Sequence, residues 1–246
     1  MAYAPPTMIK NGEMMGADLL ALVPSRGRPT VVPILADIFR TTCTTDWHLV
    51  FAVDEQDEDL PLYTAAISRE PRTQLYINRD GATMVAALNA AARHHLDSWP
   101  QAVAFMGDDH RPRTQGWDRD YLDALREMGT GMVYGNDLLQ GEKIPTQIAM
   151  TANIPRTLGH MCPSTLTHLF VDNYWRDLGT AVGCLRYLPD TIVEHLHPFA
   201  GKAGMDEGYH RVNAPSMYHR DAFAYRTYVE TGQLAADTLK IKGIRS

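Results

Sequence analysis

Cysteine is scarce in this chain and forms no recognisable motif. Only Cys43, Cys162 and Cys184 occur in 246 residues, an odd number at wide spacings. That excludes a disulfide framework and a zinc knuckle, and it suits reduced thiols in a cytoplasmic protein. Long apolar runs are missing too. No window approaches a transmembrane span, and Met1 to Lys10 lacks a basic region leading into an apolar one. A soluble, cytoplasmic protein is the expectation. Positive charge is not in excess: the formal net charge is −6, which argues against broad phosphate-driven binding of nucleic acid. Glycine-rich nucleotide fingerprints are absent as well. A dinucleotide-binding turn needs Gly-x-Gly-x-x-Gly after the first strand, but that place reads Pro24-Ser25-Arg26-Gly27-Arg28-Pro29, and there is no Walker phosphate loop.

What is present is ordinary globular composition, 45% hydrophobic and 21% charged, with no repeat, low-complexity tract or linker. One α/β domain over residues 1–246 is the expectation. Leu19 to Val23 reads as a buried strand, and a helix follows from Pro29 and Thr30 to about Thr42, with Val32, Leu35, Ile38 and Phe39 on one face. Trp47 to Val53, Gln74 to Ile77 and Val103 to Met106 read as further strands. Gly81 leads into a helix through Met84, Val85, Leu88 and Ala92, and Trp117 to Met128 reads as another. Strands separated by helices predict βαβ units and a mostly parallel sheet. The second half is less regular. It suggests strands at Met132 to Tyr134 and Gln147 to Thr151 around a loop from Gly135 to Pro145, then a helix from Thr165 to Leu178. Strands at Leu185 to Leu188 and Thr191 to Val193 follow, and C-terminal helices from Ser216 to Lys242 break near Gly232.

Three polar clusters follow strands: Ser25 to Arg28, Asp54 to Asp59, and Gly107-Asp108-Asp109-His110. Ligand sites of parallel sheets gather at strand carboxyl ends, so these clusters should converge on one edge. Arg26 and Arg28 suit a nucleotide held by side chains, although standing alone they would read as solvated loop charges. The Asp108-Asp109 pair alone reads as a helix cap or a solvent-facing turn. Its weight comes from Glu194-His195-Leu196-His197 at the end of a later apolar strand, where alternation puts His195 and His197 on one face. Asp109 with one of these histidines, completed by diphosphate oxygens, makes an open coordination sphere for Mn²⁺ or Mg²⁺. Either histidine by itself reads as an ordinary, partly buried one.

These residues carry a resemblance. "LLALVPSRGRP" resembles the opening, nucleotide-holding element of GT-A-fold glycosyltransferases, in the broad group that includes many inverting sugar-nucleotide enzymes. "FAVDEQDED" resembles the second strand of that family, whose terminal aspartate, here Asp54, contacts the base. "NRDGATMVAALNAAAR", with Gly81, resembles its Gly-to-Asn helix segment, and "AFMGDDH" lies where the family carries its Asp-x-Asp metal motif. "VDNYWRDLGTAVGCLRYLPDTIVEH" follows the family's order of catalytic acid, helix, glycine, strand, proline and strand ending in histidine. The resemblance spans about Leu19 to His197, in pattern rather than close identity. The compact "GDDHRP" is similar to glycosyltransferases encoded by bacterial viruses. Two positions depart from the pattern: Gly107 takes the place of the usual first acid, and Asp172 lies between Val171 and Asn173 where a second acid is common.

The resemblance implies a Rossmann-like, mostly parallel sheet flanked by helices. About 18–134 would form the nucleotide-sugar half, 135–213 the acceptor half and lid, and 214–246 the C-terminal helices. It implies a nucleoside-diphosphate sugar donor bound by Pro24, Ser25, Arg26, Arg28, Asp54, Gly81 and Asp108, with Lys202 reaching the phosphates. The metal falls to Asp109 with His195 or His197, and Asp172 is the expected general base. The glycine-bearing segment "HPFAGKAGMDEGYH" is the expected lid. The segment Phe170 to Trp175 offers either a sugar-stacking face or core, and Trp117 either closes the donor site or packs beneath it. The acceptor stays open among a hydroxymethylated DNA base, a virion protein and a glycan. A sugar nucleotidyltransferase is the nearest alternative, but its glycine-rich loop ending in Arg and Lys is not found. A non-catalytic nucleotide-sugar or glycan-binding module is the other, favoured by Gly107. Donor hydrolysis without acceptor separates the three.

Overall fold

A strand that is apolar along its whole length needs cover on both faces. The computed structural model, which describes residues 18–95, 101–197 and 214–245 and the backbone of Ile9–Lys10 and Glu13–Met14, supplies that cover. Strands β1 (Ile9–Lys10) and β2 (Glu13–Met14) form a separate antiparallel pair. Then come β3 (Leu19–Pro24), α1 (Val31–Thr42), β4 (Trp47–Asp54), α2 (Leu60–Ile67), β5 (Thr73–Asn78) and α3 (Met84–His95). Next are β6 (Ala102–Phe105), β7 (His110–Pro112), α4 (Trp117–Met128), β8 (Met132–Asn136), a 3-10 turn (Gly141–Lys143) and β9 (Ile148–Thr151). The described chain ends with α5 (Asn153–Leu158), α6 (Val171–Val182), β10 (Leu185–His195), α7 (Pro215–Glu230) and α8 (Gln233–Ile244).

Eight strands form one sheet in the order β5-β4-β3-β6-β9-β8-β10-β7. Only β9 and β7 run against the rest, so the sheet is mostly parallel, as expected. Strand alternation sorts the core into two layers. Leu20, Leu22, Val50, Ala52, Val103 and Phe105 face one way, onto Leu88 of α3, Trp175 of α6 and Ile241 of α8. Leu19, Ala21, Val23, Leu49, Phe51 and Val53 face the other, onto Phe39 of α1, Tyr63 of α2 and Trp117 of α4.

Four features differ from the sequence reading. The helix expected over Thr165 to Leu178 instead spans Val171–Val182. Its intended first turn is diverted because the buried Asp221 carboxylate accepts hydrogen bonds from the amides of Thr167, His168 and Leu169. Phe170 then takes φ +66° before the helix starts. The two strands expected around Pro189-Asp190 are a single β10, which shifts register against β8 between Leu188 and Ile192. Gly135, read as loop, lies inside β8, where a Cβ would come 2.3 Å from the Thr191 carbonyl oxygen. Finally, α2, α5 and β7 are elements the sequence did not reveal.

Candidate active site

The three strand-end clusters do converge. Pro24 closes β3, and the turn after it is held from two sides. The Tyr63 hydroxyl donates to Ser25 Oγ at 2.7 Å and accepts from the Arg28 amide at 2.9 Å. Ser25 Oγ in turn donates to Asp108 Oδ2 at 2.7 Å, and Arg28 Nη1 donates to Asp108 Oδ1 at 2.8 Å. The Gly27 amide donates to Asp57 Oδ2 at 2.9 Å, a geometry reached with φ +66° that favours glycine. Burial pushes the Asp108 carboxyl up, against the Arg28 guanidinium, and the neighbouring Asp109 charge adds to the rise. Asp108 thus ties the Ser25–Arg28 turn to the end of β6, with both of its oxygens engaged there.

Asp54, at the end of β4, is buried beside this turn. It accepts from Asn78 Nδ2 at 2.6 Å and lies 3.5 Å from Arg26 Nη1. The same Asn78 amide donates to the Gly81 carbonyl at 2.7 Å, so Gly81 is drawn toward Asp54. Pro24, Ser25, Arg26, Arg28, Asp54, Gly81 and Asp108 therefore share one connected polar patch. Lys202 and residues 198–210 of the expected lid lie outside the described residues.

The second half of the site comes from strand pairing. Antiparallel β7 sets His110 directly opposite His195 of β10, and their rings stack with centroids 4.2 Å apart and planes at 17°. Asp109 precedes His110, and its carboxylate bridges a nitrogen of each ring: His110 Nδ1 is 3.1 Å from Oδ1 and His195 Nε2 is 3.3 Å from Oδ2. One ligand atom from each of the three lies within 4.8 Å of the others, which makes this a group able to hold a metal ion. One carboxylate with two imidazoles is a donor set for a divalent ion, and Nδ1 of both rings is buried without a hydrogen bond to the described residues. Burial pushes the Asp109 carboxyl up, but the two imidazoles outweigh it and hold it well below the usual carboxylate range. His197, the other histidine expected as a ligand, falls outside this group. It lies beyond the end of β10, edge-on to His195 at 5.0 Å. The second imidazole of the group is that of His110.

Behind the pair stands Asp137, which the sequence reading missed. Its Oδ1 accepts the amides of Leu139, Gln140 and Gly141, its Oδ2 accepts the Thr146 hydroxyl, and its carbonyl accepts the His195 amide. Although burial pushes its carboxyl up, those donors pull it below the ordinary range. Asp172 lies in the first turn of α6 and accepts the Asn173 amide at 2.9 Å. Burial pushes its carboxyl up, opposed in part by the charges of Arg176 and His195. Two aromatic expectations resolve as core: Trp117 and Trp175 are fully buried, and the Trp175 indole donates to the Met161 carbonyl. Among the described residues no helix is long and apolar enough to cross a membrane.

No protein-family profile matches the chain, and no curated protein matches it in sequence. Solved structures do. The mannosyltransferase PcManGT of Pyrobaculum calidifontis, in complex with GDP-Man and Mn²⁺, superposes with a TM-score of 0.60 at 13% identity over 94% of this chain and 76% of its own. Staphylococcus aureus TarS residues 1–349 give 0.56 at 10% identity over 88% and 73%, and their complex with UDP-GlcNAc gives 0.52. A Desulfovibrio desulfuricans G20 protein described as a nucleotide-diphospho-sugar transferase gives 0.51 at 13% identity over 87% and 99%. At such identities the shared property is the fold, and that fold is the GT-A-like α/β sheet flanked by helices.

Proposed function

We propose that this chain is a metal-dependent glycosyltransferase that moves a sugar from a nucleoside-diphosphate donor to an acceptor hydroxyl. One observation carries the reading: the Ser25–Arg28 turn and Asp54 stand at the same sheet edge as the Asp109–His195 pair, linked through Asp108. A nucleoside needs a polar cradle, and a departing diphosphate needs cations beside it. The fold relatives that carry GDP-Man with Mn²⁺ and UDP-GlcNAc support the same assignment.

In this reading Ser25, Arg26, Arg28, Asp54 and Gly81 bind the base, ribose and diphosphate, and Pro24 fixes where their turn begins. Asp108 orients Arg28, and Lys202 approaches the phosphates from the segment expected to close. Asp109 and His195, with His197 a ring away, would hold Mn²⁺ or Mg²⁺. A bound divalent ion supplies positive charge against the diphosphate. Asp172 takes the proton of the acceptor hydroxyl as that oxygen attacks the anomeric carbon. The bond from that carbon to the phosphate oxygen breaks, and the diphosphate leaves with the electron pair. Burial, which pushes the Asp172 carboxyl up, makes its ionised form a stronger proton acceptor. The acceptor class is one of a hydroxymethylated DNA base, a virion protein or a glycan.

The test is a panel of UDP- and GDP-sugars read by released nucleoside diphosphate, with and without Mn²⁺. Slow metal-dependent hydrolysis of one donor is expected. Asp172→Asn should lower single-turnover transfer roughly 100- to 10,000-fold with donor affinity unchanged. A reaction that requires pyrophosphate would instead identify a nucleotidyltransferase. Binding without any turnover across the panel would identify a non-catalytic module.

A further inference from the structure

Helix α6 does more than carry Asp172, because it also borders a strip of open sheet surface beside that carboxylate. The helix is seated at Gly179, where a Cβ would lie 2.8 Å from Leu185 Cβ at the start of β10. Only Gly183 and Cys184 connect the two elements, so they run back along each other from that contact. Three residues back along the helix is about 4.5 Å and two residues along the strand about 6.6 Å, which draws Arg176 level with Tyr187. Tyr187 pairs directly with Tyr134 of β8, and alternation puts both on the face where Leu185 and Met132 meet the α6 core. Their rings lie 5.2 Å apart and tilted by 42°. Among the described residues no strand flanks Tyr187 on its outer side, since β7 pairs only with Val193 to His195. The two tyrosines therefore floor a sheet edge, and Asp172 precedes Arg176 by just over one helical turn on the same helix face.

Arg176 is fixed at one end and free at the other. Its Nε donates to Asp177 Oδ1 at 2.8 Å, and Asp177 Oδ2 accepts the Tyr225 hydroxyl at 2.6 Å. Among the described residues neither Nη group has a hydrogen-bond partner, and the side chain keeps 39% exposure. The Tyr187 hydroxyl is likewise without a hydrogen bond to the described residues. Burial pushes both the Asp172 carboxyl and the Tyr134 hydroxyl up, and the Arg176 charge opposes both rises. A held guanidinium with a free pair of N–H groups matches one carboxylate or phosphate. Paired tyrosines, one with a free hydroxyl, suit the apolar face of a sugar ring. One arginine takes one anionic group, and a formal net charge of −6 disfavours a polyanion. We infer that Arg176, Tyr134 and Tyr187 form an acceptor subsite for a glycan whose sugar carries one acidic group, carboxylate or phosphate, close to the reacting hydroxyl. The inference names the acceptor class of the proposed transferase and rests on Asp172 as its base.

The test measures binding of glucuronic acid, glucose 6-phosphate, neutral glucose and a short single-stranded DNA to the full chain, read by ligand-observed NMR without turnover. At least one acidic sugar should bind about 10-fold or more tightly than glucose. Arg176→Gln should lower that affinity about 10- to 100-fold, to the level of glucose. Arg176→Lys keeps the charge and loses the fork, so it should fall between, and it serves if the Gln variant does not fold. Tyr187→Ala should weaken acidic and neutral sugars alike. UDP or GDP binding should match wild type in all three variants. An arginine that only balances Asp172 and Asp177 would leave the preference for acidic over neutral sugar unmoved. Equal binding of glucose, no binding of either acidic sugar, or a preference that survives the Arg176 substitutions would overturn the inference. Selective binding of the DNA would overturn it in favour of a nucleic-acid acceptor. The outcomes are separable from those of the transferase reading. Arg176-dependent binding of an acidic sugar without turnover of any donor removes only the transferase. Turnover onto a neutral acceptor, indifferent to Arg176, removes only the acidic subsite.

Discussion

Alanine at position 107 probes how tightly the Asp109–His110 pair is folded back on its own turn. A Cβ there would lie 2.6 Å from Asp109 Oδ1 and 2.8 Å from His110 Nδ1. Ordinary contacts start near 3.4 Å, so both groups would have to retreat by about 0.7 Å. The carboxylate can swing, but the His110 ring cannot, being 2% exposed and stacked on His195. Gly107 does not use a left-handed backbone, so alanine brings no dihedral strain. Reduced unfolded-state freedom would then favour alanine by about 0.4–1 kcal/mol, against about 1–3 kcal/mol for overpacking. Net destabilisation on the order of 1 kcal/mol is expected. Divalent-metal affinity, on the proposed reading, should fall more clearly, on the order of 10- to 100-fold, because the Asp109 carboxylate of the proposed site is displaced. Co²⁺ titration and denaturant unfolding of Gly107→Ala, run side by side, read both quantities. Wild-type affinity, or a stability gain matching the glycine-to-alanine advantage, would refute the packing argument. The same geometry puts any side chain at that position, the usual place of the first acid in the Asp-x-Asp pattern, against Asp109 and His110.

Two further outcomes follow from buried polar groups. Tyr63→Phe strips the Arg28 amide and Ser25 of a partner, so it should cost about 1–3 kcal/mol of stability and weaken UDP or GDP binding; calorimetry showing unchanged affinity would mean the turn is not held by Tyr63. His48 and His95 are both pushed down to about 4 by burial, so each is neutral in the native state but charges in the unfolded chain below about 6.5. Their contribution is complete above that pH and fades as pH falls toward 4, with a loss of about 2 kcal/mol each by pH 5. Denaturant unfolding from pH 7 to 5 should show this decline, and His48→Gln should flatten it; a slope unchanged in that variant would remove His48 as a source.

Much of the first half was legible because its physics is local. Short continuous apolar runs such as Leu19–Pro24, bounded by turn residues, suit strands buried on both faces, and strand-end polar clusters in a parallel sheet share an edge. The parts that stayed hidden depend on long-range register. Nothing in "HRP" marks a strand, yet its pairing with β10 sets His110 opposite His195. Alternation favoured His197 equally with His195 only while the strand continued, and β10 stops at His195. Asp137, Tyr63 and Asp221 look like ordinary loop, helix and helix residues. Their roles come from amides and hydroxyls that other elements bring to them, 54 positions away in the case of Asp221 and Thr167.

The sheet order explains why the Ser25–Arg28 turn and the Asp109–His110–His195 group adjoin. From β3 the chain winds outward through β4 to β5, then crosses back to place β6 on the other side of β3. Connections leaving β3 and β6 therefore part in opposite directions, and a crevice opens between their carboxyl ends. Ser25 follows β3 and Asp108 follows β6, and their hydrogen bond spans that crevice. A residue past Asp108 the chain turns, and β7 runs antiparallel to β10 at the far edge of the sheet order, carrying Asp109 and His110 to His195. The dipeptide Asp108-Asp109 is thus divided by its two neighbourhoods: one carboxylate belongs to the Ser25–Arg28 turn, the other to the histidines. An Asp108→Asn change should on this reasoning disturb the turn and leave the Asp109–His110–His195 group in place, whereas Asp109→Asn should do the reverse.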